Sequence, residues 1–386
     1  MMSPTAPNAY PERAARWVGM FFLALILMAG LAGAALAQQQ PKKGASPAAP
    51  KGAPPAAQKG APLLDAGQSA APHAPIPRES IEPREQMRVL VSDISTYARS
   101  LNRGFAVVTL GGLELLEKVD PIDPTKRAPA AAYMRSIDGL IARAIHFHPP
   151  DSHNETKQDP KVRAELLRLA EGGQQRGVRI WTLDYAKDAG MAETAVRGAI
   201  EKSFVPFTAA RADYRFDRVP PGRPVNENPN NVSGLNHVKN FLMLTDTSAW
   251  DTQEEFVLAL ADTNYDAIVV DVYHRGRTAL TPRTVDGLKY KKLGARRMVF
   301  AYMNIGEAES DKYYWKAGWR EGSPYFIGPP APGNPDKYSV QYWQPGWRDI
   351  ITGNANSYLY GIIAQGFDGI VLDGVEAYRE QEGDNR

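Results

Sequence analysis

The sequence has no cysteine among its 386 residues, only six histidines, and a formal net charge of just +2. Without cysteine there can be no disulfide, no thiolate-bound metal and no thiol nucleophile. The near-balance of charge provides no basic footprint for nucleic acid. The histidines His146, His148, His153, His237 and His274 lack the spacing of a metal site, so no metal is expected. Neither a phosphate-cradling glycine loop nor a dinucleotide fingerprint occurs in a strand-turn-helix setting, so no cofactor is expected.

Long apolar runs are also scarce. The one long stretch, Trp17 to Ala32, follows Arg13 and Arg16 and precedes Ala35-Leu36-Ala37. That order is the pattern of a secretory leader, residues 1–37, with cleavage before Gln38. The rival is an uncleaved membrane anchor, for which the stretch is short against the roughly 20 residues a membrane span needs. The expectation is therefore a secreted or periplasmic protein with no stable membrane span after cleavage. Residues 38–78 are rich in Ala, Pro, Gly and Lys and poor in large apolar side chains. They cannot bury a core and are expected to be a disordered linker. The folded domain is expected over 79–386.

Within that domain, helical and strand-like segments alternate. Arg84 to Asn102 carries Met87, Leu90, Val91, Ile94, Tyr97, Ala98 and Leu101 at helical spacing, and Gly104 follows. Strand-like runs are expected at 105–110, 139–147, 178–185, 204–208, 241–244, 268–272, 298–303 and 370–372. Helices are expected at 160–176, 191–202, 252–260 and 348–365. Eight strands alternating mostly with helices point to an α/β fold, a single (β/α)8 barrel. Two open α/β domains joined at the Pro/Asn/Gly-rich segment 218–235 are the alternative.

Several of the apolar runs end in acid. AIVVDVY places Asp271 at the end of one, MVFAYMNIGEAES places Glu307 and Glu309 after another, and FDGIVLDGVEAY places Asp373 and Glu376 after a third. The C-terminal ends of barrel strands are where such folds hold their chemistry. Paired carboxyls are what acid/base cleavage of a glycoside requires. Tyr302 and Trp343 add aromatic faces suited to the apolar side of a sugar ring. Tyr342, Trp347 and Trp315 suit core packing as well.

AYMNIGEAES, Tyr313-Tyr314-Trp315, YSVQYWQPGWRDII and GFDGIVLDGVEAY together resemble glycoside hydrolase family 114, TIM-barrel proteins typified by endo-α-1,4-polygalactosaminidase. MRVLVSDISTYARSLNRGFAVVTLGGLELL, YMRSIDGLIARAI, GVRIWTLDYAKD and FVPFTAARADY resemble segments of the same family that usually follow, rather than precede, the last of those strings. The resemblance thus implies a circularly permuted order, with the break beside the catalytic face and residues 80–90 close to Glu376. It implies hydrolysis of an amino-sugar-containing or galactose-type polysaccharide, with Asp271 and Glu307 catalytic and Glu307 the acid. Asp373, Asp184, Tyr185, Tyr302, Trp343 and Glu309 are the implied substrate contacts. Two departures stand out. Thr109-Leu110-Gly111-Gly112 replaces a usual glutamine-asparagine pair, and an acidic residue is missing after the strand that runs into His146-Phe147-His148. A carbohydrate-binding barrel without catalysis, or a structural envelope protein tethered by its linker, would accommodate both.

Overall fold

The computed structural model describes residues 74–149, 157–209 and 215–383. The expected leader and most of the expected linker lie outside the described residues. Eight strands form one parallel sheet: β1 (Ala106–Leu110), β2 (Gly139–Arg143), β3 (Arg179–Tyr185), β4 (Val205–Ala209), β5 (Phe241–Leu244), β6 (Ala267–Asp271), β7 (Met298–Asn304) and β8 (Gly369–Asp373). All eight coincide with expected strands, because each is a short apolar run buried on both faces. The hydrogen-bonded ladder runs from β4 through β3, β2 and β1 to β8, then through β7 and β6 to β5. Its two ends meet through side chains, with the rings of Phe207 and Phe241 5.5 Å apart. Trp181 stacks on Phe241 at 4.7 Å and meets Phe300 edge-on at 5.7 Å inside the barrel. This is an α/β TIM barrel.

The helices are α1 (Pro83–Leu101), α2 (Ala131–Ser136), α3 (Pro160–Gln174), α4 (Ala189–Glu201), α5 (Gln253–Ala261), α6 (Pro282–Leu288), α7 (Pro345–Ile351), α8 (Tyr358–Gln365) and α9 (Tyr378–Gln381). Asp159, Asp188, Thr252, Thr281 and Ser357 cap five of them, each accepting a first-turn N–H. In α1, Met87, Leu90, Val91, Ile94 and Ala98 are buried as the spacing predicts, whereas Leu101 is exposed. The single helix expected over 348–365 is two. Gly353, at φ 90°, stops α7, and Ser357 starts α8 afresh.

Segment 218–235 does not join two domains. Lys291, fully buried, reaches the carboxylate of Asp266 at 2.5 Å and the carbonyls of Asn228 and Asn230 at 2.8 and 2.9 Å. Val232 is wholly enclosed. The segment is pinned beneath the barrel, where its unpaired carbonyls satisfy a buried ammonium.

Both ends of the described chain meet. Arg84 pairs with Glu382 at 2.8 Å and its guanidinium lies 4.8 Å from the Tyr378 ring centre. Residues 74–78, expected in the linker, are fixed. Ile76 donates to Gln344 Oε1 at 2.8 Å, and its carbonyl accepts from Gln344 Nε2 at 2.8 Å and from Trp343 Nε1 at 3.2 Å.

Candidate active site

The ends of β6, β7 and β8 converge because two glycines touch. A Cβ on Gly306, after β7, would lie 2.2 Å from the carbonyl oxygen of Gly374, after β8. Gly374 has φ +74°, and a Cβ there would lie 2.3 Å from Asn304 Oδ1. Only glycine permits this approach. Gly306→Ala is expected to lower the unfolding free energy by about 1–3 kcal/mol and to displace Glu307. Urea titration alongside an activity or binding assay checks it, and an unchanged midpoint would show that the two loops can separate freely.

Asn304 then fixes Glu307. Its Oδ1 accepts from the N–H groups of Gly306 and Glu307, both at 3.0 Å, and its Nδ2 donates to Glu307 Oε2 at 2.8 Å. Glu307 and Glu309 lie on a short strand, Glu307–Glu309, which pairs antiparallel with Asn334–Val340; Ile327–Ala331 completes a three-stranded sheet at the barrel mouth. That sheet was not expected from sequence. Lys337 projects from it to Glu309 at 3.1 Å and Glu307 at 3.6 Å.

Asp271, at the end of β6, accepts from the Tyr273 N–H at 2.8 Å and from Lys312 Nζ at 3.2 Å. Lys312 lies equally close to Glu309, at 3.2 Å. Burial raises the Asp271 carboxyl above its ordinary pKa, and Lys312 partly offsets this. Burial pulls on Glu309 in the same direction, but Lys312 and Lys337 together outweigh it and hold Glu309 below its ordinary value. Lys312 itself is pulled down by burial and up more strongly by Asp271 and Glu309, so it stays charged. Between Asp271, Tyr302, Asn304, Glu309, Lys312 and Tyr358 lies a cavity of about 10 Å³, room for roughly one water.

Tyr302 donates its hydroxyl to Asp373 Oδ2 at 2.6 Å, a short charge-assisted bond. Burial, then the Asp373 charge, pushes the phenol well above its ordinary pKa, so it remains a donor. Arg143, at the end of β2, reaches Glu376 at 2.9 Å and Asp373 at 3.5 Å. Glu376 also accepts from Gly112 N–H at 3.1 Å. A Cβ on Gly111, at φ +84°, would lie 2.8 Å from that carboxyl. Where polar side chains are missing after β1 and β2, the Glu376–Arg143 pair occupies the space. Sequence reading passed over Arg143, Asn304, Lys312 and Lys337. A polar residue ending an apolar run signalled Asn304 and Arg143, but nothing local marked the lysines.

Three expected substrate contacts are enclosed. Asp184 is 1% exposed, and its Oδ1 accepts from His146 and Phe147 N–H at 2.7 and 2.9 Å. It ties the turn after β2 to β3. Tyr185 is 2% exposed and lies close enough to Arg143 to influence its charge. Trp343 is 1% exposed and committed to Ile76, so it offers no face to a sugar. Tyr342 and Trp347 are also core residues, bonded to the carbonyls of Pro83 and Ile305.

Burial lifts Asp184 from its ordinary 3.8 to about 6, against the two N–H donors. The folded state therefore holds this proton more tightly than the unfolded chain. Stability from this group is full below pH 3.8 and is lost as pH rises to about 6, a loss of about 3 kcal/mol. Asp184→Asn keeps an acceptor for both N–H groups and cannot ionise. The stability difference between parent and variant is expected to drift by that amount between pH 4 and 6 and then level off. Denaturant titrations across that range test it, and a constant difference would show that Asp184 does not titrate there.

Among the described residues no three acidic or histidine side chains form a group able to hold a metal, and no helix is long and apolar enough to cross a membrane. Residues 241–386, which supply every carboxylate of the cluster, match glycoside-hydrolase family GH114. An uncharacterised protein of Methanocaldococcus jannaschii is 34% identical over 152 residues, 39% of this chain and 41% of the relative. Uncharacterised proteins of Deinococcus radiodurans and Thermotoga maritima are 41% and 42% identical over 90 and 85 residues, 23% and 22% of this chain and 27% and 25% of theirs. The matches thus span less than half the length of these relatives. Residues 241–386, which carry Asp271, Glu307, Glu309 and Asp373, are thus the part of this chain that is similar to glycoside-hydrolase family GH114.

Proposed function

We propose that the protein is an exported glycoside hydrolase that cleaves an amino-sugar-containing or galactose-type polysaccharide with two carboxyls. The observation that carries the reading is the contrast between Asp271 and Glu307, on neighbouring strand ends. Asp271, with a side chain 15% exposed, has Lys312 against it. Lys312 partly offsets the upward pull of burial on its carboxyl, towards the ionised form that a nucleophile or water-activating base requires. Glu307 is 34% exposed, and Asn304 and Lys337 both meet its Oε2, at 2.8 and 3.6 Å. Its Oε1 is left to donate a proton to a leaving oxygen. Tyr302, Asp373, Arg143 and Lys337 position these groups and would contact sugar hydroxyls.

A permuted chain order is part of the proposal. It is supported by α1, which packs against the C-terminal residues and precedes β1 where a crossover helix after β8 would lie. Reducing-end release from galactosamine-containing and galactose-containing polysaccharides is the test, with Glu307→Gln as the comparison. Release by the parent alone supports the hydrolase, and no release from any of them overturns it.

A second reading, a sugar-binding barrel without catalysis, is favoured by one observation. Lys312, Lys337 and Arg143 engage every carboxylate of the cluster, and the space beside Asp271 admits only about one water. It expects oligosaccharide affinity that survives Glu307→Gln and no cleavage by the parent.

A further inference from the structure

Behind Tyr358, away from the carboxylates, lies a second and larger pocket of about 150 Å³. Tyr273, Tyr313, Tyr358, Gly361, Gln365 and Arg277 line it. Tyr358 is also a wall of the small cavity at Asp271, so one ring separates the two spaces. Tyr273 is tied to the cluster as well, with Lys312 Nζ 5.9 Å from its ring centre. The volume matters, because an apolar cavity near 150 Å³ accepts a six-membered ring such as benzene.

Two features suit the space to a ligand that is polar on one side and apolar on the other. The first is Tyr313, whose buried hydroxyl has no partner among the described residues. A buried polar group without a partner is costly, and a ligand hydroxyl would satisfy it. The second is Gly361, inside α8. A Cβ there would meet nothing within 4 Å, so packing does not require glycine. Glycine in a helix interior costs about 1 kcal/mol relative to alanine. What the missing side chain leaves is this pocket. Gln365 adds an acceptor, because its Nε2 is already committed to the carbonyls of Val272 and Leu280 at 3.2 and 2.9 Å and its Oε1 is left over.

We propose that this pocket is an outer sugar subsite, taking one pyranose residue of the polysaccharide beyond those at the carboxylates. The tyrosine rings take the apolar C–H face, while the Tyr313 hydroxyl, Gln365 Oε1 and the Arg277 guanidinium bind hydroxyl or amino substituents. The proposal rests on the glycan reading of the carboxylate cluster.

Calorimetry on the Glu307→Gln protein with an α-1,4-galactosamine dimer and hexamer tests it. Gly361→Leu starts a side chain from a Cβ that meets nothing within 4 Å and puts bulk at the pocket wall, and Tyr313→Phe removes only the hydroxyl. Each is expected to weaken hexamer binding about tenfold and to leave dimer binding unchanged. Equal hexamer affinity in parent and both variants would overturn the subsite while leaving the cluster as a glycan site. Equal weakening of dimer and hexamer would also overturn it, since the effect would then be transmitted to the cluster. Absence of binding by the Glu307→Gln protein to either sugar would overturn the glycan reading and the subsite with it.

Discussion

Glu307→Gln is expected to reduce hydrolysis by about 10²–10⁴-fold while polysaccharide binding is retained. Gln keeps the length of the side chain, and its carbonyl oxygen can still accept from Asn304 Nδ2, as Glu307 Oε2 does at 2.8 Å. The backbone clamp from Asn304 Oδ1 to the Glu307 N–H is untouched. What is lost is the transferable proton. The loss should fall on kcat rather than KM, because the missing interaction forms only as the glycosidic bond breaks. Single-turnover measurement of reducing-end release gives the split. A rise in KM with kcat unchanged would make Glu307 a binding residue and move the acid role to another carboxyl of the cluster.

Lys312→Met is expected to destabilise the fold by about 3–5 kcal/mol and to move the acid limb of the activity profile upward. Lys312 pairs with both Asp271 and Glu309, each at 3.2 Å, and those carboxylates are only 15% and 12% exposed. Methionine fills much of the volume but leaves two buried like charges facing each other. Burial already raises Asp271, and Lys312 is the main group opposing that rise. Without the lysine Asp271 must be protonated over a wider range, so the group required as an anion is scarcer at a given pH. The sign of the stability effect follows. A carboxyl with a raised folded pKa favours the fold most when protonated and loses that contribution as pH rises. The variant should therefore be closest to the parent in acid and fall furthest behind at alkaline pH. Urea titrations at pH 5 and 8 and a kcat/KM profile test both parts. Equal destabilisation at the two pH values would mean that lost packing, not charge, accounts for the effect.

These predictions depend on different parts of the chain's logic. Asp271 was legible because AIVVD is a short β-branched run, and a run of that kind ending in acid puts a carboxylate at a barrel mouth. Glu307 was legible as a position but not as a conformation. Apolar patterning marks no element between 303 and 348, yet Glu307–Glu309 pairs with Asn334–Val340, Glu307 opposite Ser339, as the edge of a three-stranded antiparallel sheet. Local patterning carries no information about such pairing. Asp184 and Trp343 show the opposite failure. Each is a plausible sugar contact by residue type and neighbours, and each is enclosed. Side-chain burial depends on what packs from elsewhere: the turn at His146-Phe147 for Asp184 and the segment at Ile76 for Trp343.

The sequence by itself determined the eight strands, most of the helices and the carboxylates at the strand ends, because apolar periodicity and capping are local properties. Only the tertiary structure decided which cations meet those carboxylates. Lys312 and Asp271 are 41 positions apart and Arg143 and Glu376 233 apart, and contacts of that separation exist only once the barrel has closed. It also decided that Gly306 and Gly374 must touch, since their carbonyl and Cα approach comes from the convergence of β7 and β8 rather than from any turn signal in either loop.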